Sequence, residues 1–151
     1  MGYMEELRQL VGKRPIIGVG ATILVFNLNR EILLQLRSDT NTWGLPGGGM
    51  EAGEKIEETA TRELFEECGL TLEKSKLLTV LSGPEYYFVY PNGDEVHTVI
   101  VLFEALRVSG ELSINDGESS ELRYFNLSLL PMLESRAQAV ILWYQSNIAQ
   151  N

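Results

Sequence analysis

The chain has 151 residues, 44% of them hydrophobic, with a single cysteine and a formal charge of −9 from 21 acidic against 12 basic side chains. That length suits one well-buried domain and is short for two, so one domain spanning residues 1–151 is expected. The charge repels a nucleic-acid backbone or an anionic membrane on average, the lone Cys68 excludes an intramolecular disulfide and a multi-cysteine zinc site, and neither a secretory signal nor an uncharged run of roughly 18 residues is read, so a soluble cytoplasmic protein is expected.

Met4, Leu7, Leu10 and Val11 stand at helical spacing, and residues 4–12 predict a short amphipathic helix ending before Pro15. The β-branched run IIGVGATILVF (16–26), the turn NLNR and the run EILLQLR predict two strands joined as a hairpin. SDTNTWGLPGGG is rich in turn formers and predicts loop, with at most a short strand from Trp43 to Leu45. A helix from Lys55 to Cys68 follows, with Gly69 as its C-cap. KLLTVLSG, EYYFVYP and EVHTVIVLFEALRV predict strands, the last two joined by PNGD through an Asn92-Gly93 turn. After the polar loop SGELSINDGESS, ELRYFNL predicts another strand and LSLLPML a short helical turn. The tail from Glu134 to about Ile148 carries Ala137, Val140, Ile141, Tyr144 and Ile148 at helical spacing and predicts a final helix on the sheet. The order predicts an α/β (α+β) architecture, a mixed sheet with helices on both faces.

Three local patterns point to chemistry they do not complete. Gly18-Val19-Gly20 opens like a dinucleotide fingerprint, but Ile23 stands at the third glycine position and the run continues as strand. Gly48 and Gly53 have the spacing of a phosphate-binding loop, yet Glu54 stands where that loop needs lysine. His97 is the only histidine, so histidine-based zinc ligation has little support.

The helix after LPGGG carries the chemistry. At about 100° per residue, Glu63, Glu66 and Glu67 fall within about 100° of arc, and positions 63 and 67 share the side of Ile56 and Ala60, where an amphipathic helix places core residues. Like charges at these spacings repel, and a divalent cation reverses that sign. Mg²⁺ and Mn²⁺ take oxygen ligands, commonly carboxylates with water and phosphate oxygens. Arg62 stands four residues before Glu66 and can orient it. The glycines of LPGGG let backbone approach a metal or a phosphate and offer a carbonyl. Such a pocket suits hydrolysis at phosphorus: the cation neutralises leaving charge and acidifies a water, and a spare carboxylate takes the proton. The EF-hand pattern of a structural calcium site is absent.

Gly48, Glu54 and the run Arg62-Glu63-Leu64-Phe65-Glu66-Glu67-Cys68-Gly69-Leu70 match every specified position of G-x5-E-x7-R-E-U-x-E-E-x-G-U, so the chain resembles the Nudix (MutT-like) hydrolases across residues 48–70. The resemblance implies an α/β/α sandwich and Mg²⁺-dependent hydrolysis, with Mn²⁺ as substitute, of a nucleoside diphosphate linked to a further group, of the ADP-ribose, dinucleoside polyphosphate or (deoxy)nucleoside triphosphate type. It implies Glu66 and Glu67 as main metal ligands, Glu63 as a further ligand or general base, Glu54 as a more distant partner, the Gly48 carbonyl as a ligand, and Arg62 as the group orienting the carboxylates. It also implies one more acidic ligand from a later loop, for which Glu118 stands first and Glu121 second. Arg37 is placed as a phosphate-binding residue, and Trp43, Tyr86, Tyr87 and Tyr90 are candidates for stacking on a base. Pro84 points toward ADP-ribose and Tyr86-Tyr87 toward dinucleoside polyphosphates, so the two hints cancel. Relatives also form homodimers. The alternative is a non-catalytic Nudix-fold binding or sensor module; such proteins lose box glutamates, and this chain keeps them all.

Overall fold

The computed structural model describes residues 2–115 and 117–148. Strand β1 (Ile16–Leu24) runs parallel to the long β7 (Glu95–Ser109) from Ile16↔Val96 to Leu24↔Glu104. On its other edge, β1 pairs antiparallel with β4 (Gly47–Gly49). The far edge of β7 takes β5 (Thr71–Leu81), and its beginning takes β6 (Tyr87–Val89), both antiparallel. A second, antiparallel sheet has β2 (Ile32–Arg37) between β3 (Trp43–Gly44) and β8 (Ser119–Phe125).

Helices cover both faces. Ala60, Leu64 and Cys68 of α2 (Ile56–Cys68) pack on Ala21, Ile23, Val25, Leu33 and Phe103. Val140, Ile141 and Tyr144 of α3 (Ser135–Asn147) pack on Leu24, Ile32, Leu34, Ile100 and Leu102. Successive residues of β1 and β2 therefore enter opposite cores. A strand buried on both sides needs an apolar residue at every position rather than at every second one, which accounts for the unbroken runs ATILV and ILL. The short α1 (Tyr3–Val11) has no fully buried residue; the Met4 thioether methyl stands over Gly18, and Arg8 donates to the Glu95 carbonyl at 2.6 Å.

Four expectations need revision. The hairpin of 16–26 and EILLQLR survives only at its root, through the Phe26↔Ile32 bridge and the Leu33 N–H bond to the Val25 carbonyl at 2.8 Å, because β1 and β2 then separate into different sheets. GGG is a strand, β4, rather than loop. EYYFVYP begins with a 3-10 turn, Pro84–Tyr86, before β6. LSLLPML makes a turn at residues 127–128 and a Trp43↔Leu133 bridge instead of a helical turn. Among the described residues, no helix is long and apolar enough to cross a membrane.

Glycine is required at 20 because β4 lies against it: a Cβ there would stand 2.6 Å from the Gly48 carbonyl oxygen, a backbone atom that cannot yield without moving the strand. Gly20→Ala is therefore expected to destabilise the fold by about 1–3 kcal/mol in denaturant unfolding.

Candidate active site

The site forms where β4, β2 and α2 meet. The turn before α2 is fixed by Glu58, which accepts from the Lys55 N–H at 2.8 Å, and Gly69 ends the helix in a left-handed conformation. Between them, Arg62 uses all five of its N–H donors. Nε and one NH2 proton go to Glu54 at 2.7 and 2.9 Å, NH1 to Glu63 at 2.8 Å and Glu66 at 3.3 Å, and NH2 also to the Gly49 carbonyl at 3.0 Å. One guanidinium thus ties helix, preceding loop and β4 together.

The carboxylates differ in environment. Glu54 also accepts from the Glu51 N–H and the Thr59 hydroxyl, at 2.8 and 2.9 Å. Its bonds to Arg62 hold its carboxyl at about 2, so it braces the arginine as an anion. Glu67 is only 4% exposed; it accepts from the Gly47 N–H at 2.9 Å and from the Gln35 amide. Burial pushes its carboxyl well above the ordinary range, with the neighbouring Glu63 adding to the rise against Gln35 and Gly47. Burial also raises Glu63, Arg62 offsets part of this, and Glu66 adds to the rise. Glu66 is half exposed. Gly48 meets the cluster through backbone alone, since a Cβ there would fall 2.4 Å from the Glu63 carboxyl carbon.

Gly48, Arg62, Glu63 and Glu67 line a cleft of about 1100 Å³, and Glu54 and Glu66 are not part of its lining. Glu118 lines it, and its carbonyl accepts from the Ser38 N–H at 3.0 Å. Glu121 instead pairs with Arg123 outside it. Arg37 lines the cleft, donates to Asp39 at 2.7 and 2.9 Å, and lies 5.3 Å from the Phe88 ring centroid and 6.0 Å from that of Tyr90. The Asp39 carboxylate raises its pKa further.

Three proposed stacking residues lie elsewhere. Trp43 packs edge-on against Phe125 at 4.8 Å, Tyr86 is buried in the α3 core, and Tyr87 donates to Glu95 and lies 5.0 Å from the His97 ring. None of the three lines the cleft, whereas Tyr90 does. Sequence reasoning passed over Gln35 and Arg136. Gln35 could have been noticed as the polar residue in the apolar run ILLQL. Arg136, 4.0 Å from the Phe88 centroid and bonded to Thr98 and Glu134 at 3.1 and 2.8 Å, gave no signal in the sequence.

The fold is an α/β/α frame, and its candidate site gathers carboxylates and glycine backbone around one arginine. A NUDIX domain model matches residues 17–144, and the chain belongs to the Nudix family. It is 33% identical over 113 residues to a putative 8-oxo-dGTP diphosphatase of Bacillus subtilis, spanning 75% of this chain and 69% of that protein. Over 115 residues it is 32% identical to an ADP-ribose pyrophosphatase of Methanocaldococcus jannaschii, spanning 75% of this chain and 64% of that one. A MutT Nudix hydrolase from Burkholderia pseudomallei superposes with a TM-score of 0.70 at 29% identity, over 85% of this chain and 97% of that chain.

Because the native state binds a proton on Glu67 more tightly than the unfolded chain does, ionising this residue destabilises the fold as pH rises above about 4.5. In cation-free buffer at neutral pH, Glu67→Gln is expected to melt higher than wild type, by about 2–4 °C for each kcal/mol regained. Below about pH 4 the difference should close, as thermal melting across pH would show.

Proposed function

We propose that this chain hydrolyses the phosphoanhydride of a nucleoside diphosphate derivative with a divalent cation, Mg²⁺ or Mn²⁺, held by Glu66, Glu67 and the Gly48 carbonyl. The observation that carries this reading is the burial of Glu67 beside Glu63, two carboxylates that repel in one desolvated place. The donors present are all oxygens, and the Gly48 backbone meets them where no side chain would fit; that set suits a hard cation. Among the described residues, no three His, Cys, Asp or Glu side chains already stand as a ligand cluster. Arg62 bonds both Glu63 and Glu66, supplying positive charge between them.

A bound cation would neutralise the charge that develops on the leaving phosphate oxygens and lower the pKa of a water within its reach. The chain's own contributions are then distinct. Glu54 and Arg62 fix the orientation of Glu63 and Glu66. Glu63 would be a further ligand or the acceptor of the water's proton, and Glu118, which lines the same cleft, would add a carboxylate. Arg37, which lines the same cleft, would hold a phosphate of the substrate. The relatives' names supply the substrate types: oxidised deoxynucleoside triphosphate and ADP-ribose.

The test is a panel of ADP-ribose, dinucleoside polyphosphates and (deoxy)nucleoside triphosphates, 8-oxo-dGTP included, with Mg²⁺ or Mn²⁺ and with chelator, products identified by mass. Turnover of at least one class that chelator abolishes, and that Glu67→Gln lowers by at least about 100-fold, is expected. A panel left intact by wild type would leave a nucleotide-binding module instead.

A further inference from the structure

Gln35 sits where the sheet architecture asks for an apolar residue. Strand β2 is the middle strand of its sheet, with Gln35 paired to Gly44 on one side and Leu122 on the other. The three residues before it are fully buried in the two cores. Gln35 itself is 7% exposed and lines the cleft beside Glu67 and Gly47.

Its amide is half used. Nε2 donates to Glu67 Oε2; with Glu67 ionised, as it must be to ligate a cation, turning the amide over would set a carbonyl against a carboxylate. Oε1 has no hydrogen-bond partner and is the one buried side-chain atom among the described residues in that position. Burying an unsatisfied carbonyl is unfavourable, and an apolar side chain of the same size would avoid it. The fold alone does not account for this residue.

A group that would satisfy Oε1 must be a donor, and it must tolerate or welcome the Glu67 and Glu63 carboxylates nearby. A phosphate oxygen fails on both counts. Water polarised by a divalent cation meets both, since its protons point outward and its charge is compensated by the carboxylates. We propose that Gln35 is a positioning residue of the cation site, with Nε2 holding Glu67 in place and Oε1 accepting a hydrogen bond from the hydration shell of the cation. This rests on the proposed function, and it adds to the acidic ligands a neutral residue that shapes their affinity.

The test is calorimetric titration of wild type, Gln35→Met and Gln35→Asn with Mn²⁺ and with Mg²⁺, without nucleotide, alongside the melting temperature of each cation-free protein. Methionine keeps length and removes both polar atoms; asparagine keeps the amide but draws it back from Glu67. Dissociation constants about 10–100-fold higher in both variants are expected. Cation-free melting should stay within about 2 °C of wild type for Gln35→Met, where a lost bond to Glu67 and a lost orphan carbonyl offset one another. In turnover, the cation concentration for half-maximal rate should rise while kcat at saturating cation changes less. Variants whose cation affinity stays within about threefold of wild type overturn the proposal, whatever their melting temperatures, and leave the proposed function standing. Weaker nucleotide binding in cation-free buffer, with cation affinity unchanged, would give Oε1 to the nucleotide and likewise overturn it. Wild type that binds no cation contradicts both readings.

Discussion

A guanidinium with five donors, set beside a helix whose neighbouring carboxylates repel one another, has few ways to be fully bonded. Arg62 finds partners for all five: Glu54 before the helix, Glu63 and Glu66 on it, and the Gly49 carbonyl of β4. The partners belong to three stretches of backbone, the loop before α2, α2 itself and β4, so the bonds fix the distance between α2 and the edge of the first sheet. The glycines of β4 are the other half of that constraint. Gly20 leaves room for the Gly48 carbonyl, and Gly48 leaves room for the Glu63 carboxyl. Strand edge, glycine backbone and helix approach more closely than side chains would permit, and the carboxylates converge as a result.

The remainder of the fold supports this contact from behind. Ala60, Leu64 and Cys68 bury the inward side of α2 in its core, and Glu67, on that same side, lines the cleft at 4% exposure. A buried carboxylate beside a second one, although it accepts from Gly47 and Gln35, is disfavoured in its ionised form. That is a stability cost concentrated where chemistry is expected, as active sites commonly show. Arg37 and Arg136, which also line the cleft, are paired with Asp39 and Glu134, and Tyr90 adds an aromatic ring to the same lining.

Much of this could be read in the sequence, for reasons that also explain what could not. Helix α2, its C-cap at Gly69 and the inward placement of Glu67 follow from local periodicity, which one chain segment carries by itself. The β6–β7 hairpin follows from Asn92-Gly93 in the same way. The partner of β1 does not: its pairing with β7, some 80 residues away, depends on contacts no local pattern encodes, and the short turn NLNR suggested β2 instead. GGG reads as loop because strand propensity is carried by side chains, whereas β4 exists because their absence permits close pairing. Trp43, Tyr86 and Tyr87 attracted attention as aromatics, yet the face each one presents was decided by sheet register and by the 3-10 turn at Pro84. Gln35 was legible only as a mismatch with its neighbours, and its meaning required knowing that Glu67 lies across from it.

The central claim is that the buried carboxylates await a cation, and its most direct measurement is the proton count on binding. Since Glu67 and Glu63 hold their protons above the ordinary carboxylate range in the free protein, a cation that takes them as ligands must displace protons. Titration of Mn²⁺ into the protein at a series of pH values from about 4.5 upward, in two buffers of different ionisation enthalpy at each, should give heats that differ in the sense of net proton release, with release declining as pH rises. Binding with no proton release at any pH, or no binding at all, would contradict the account.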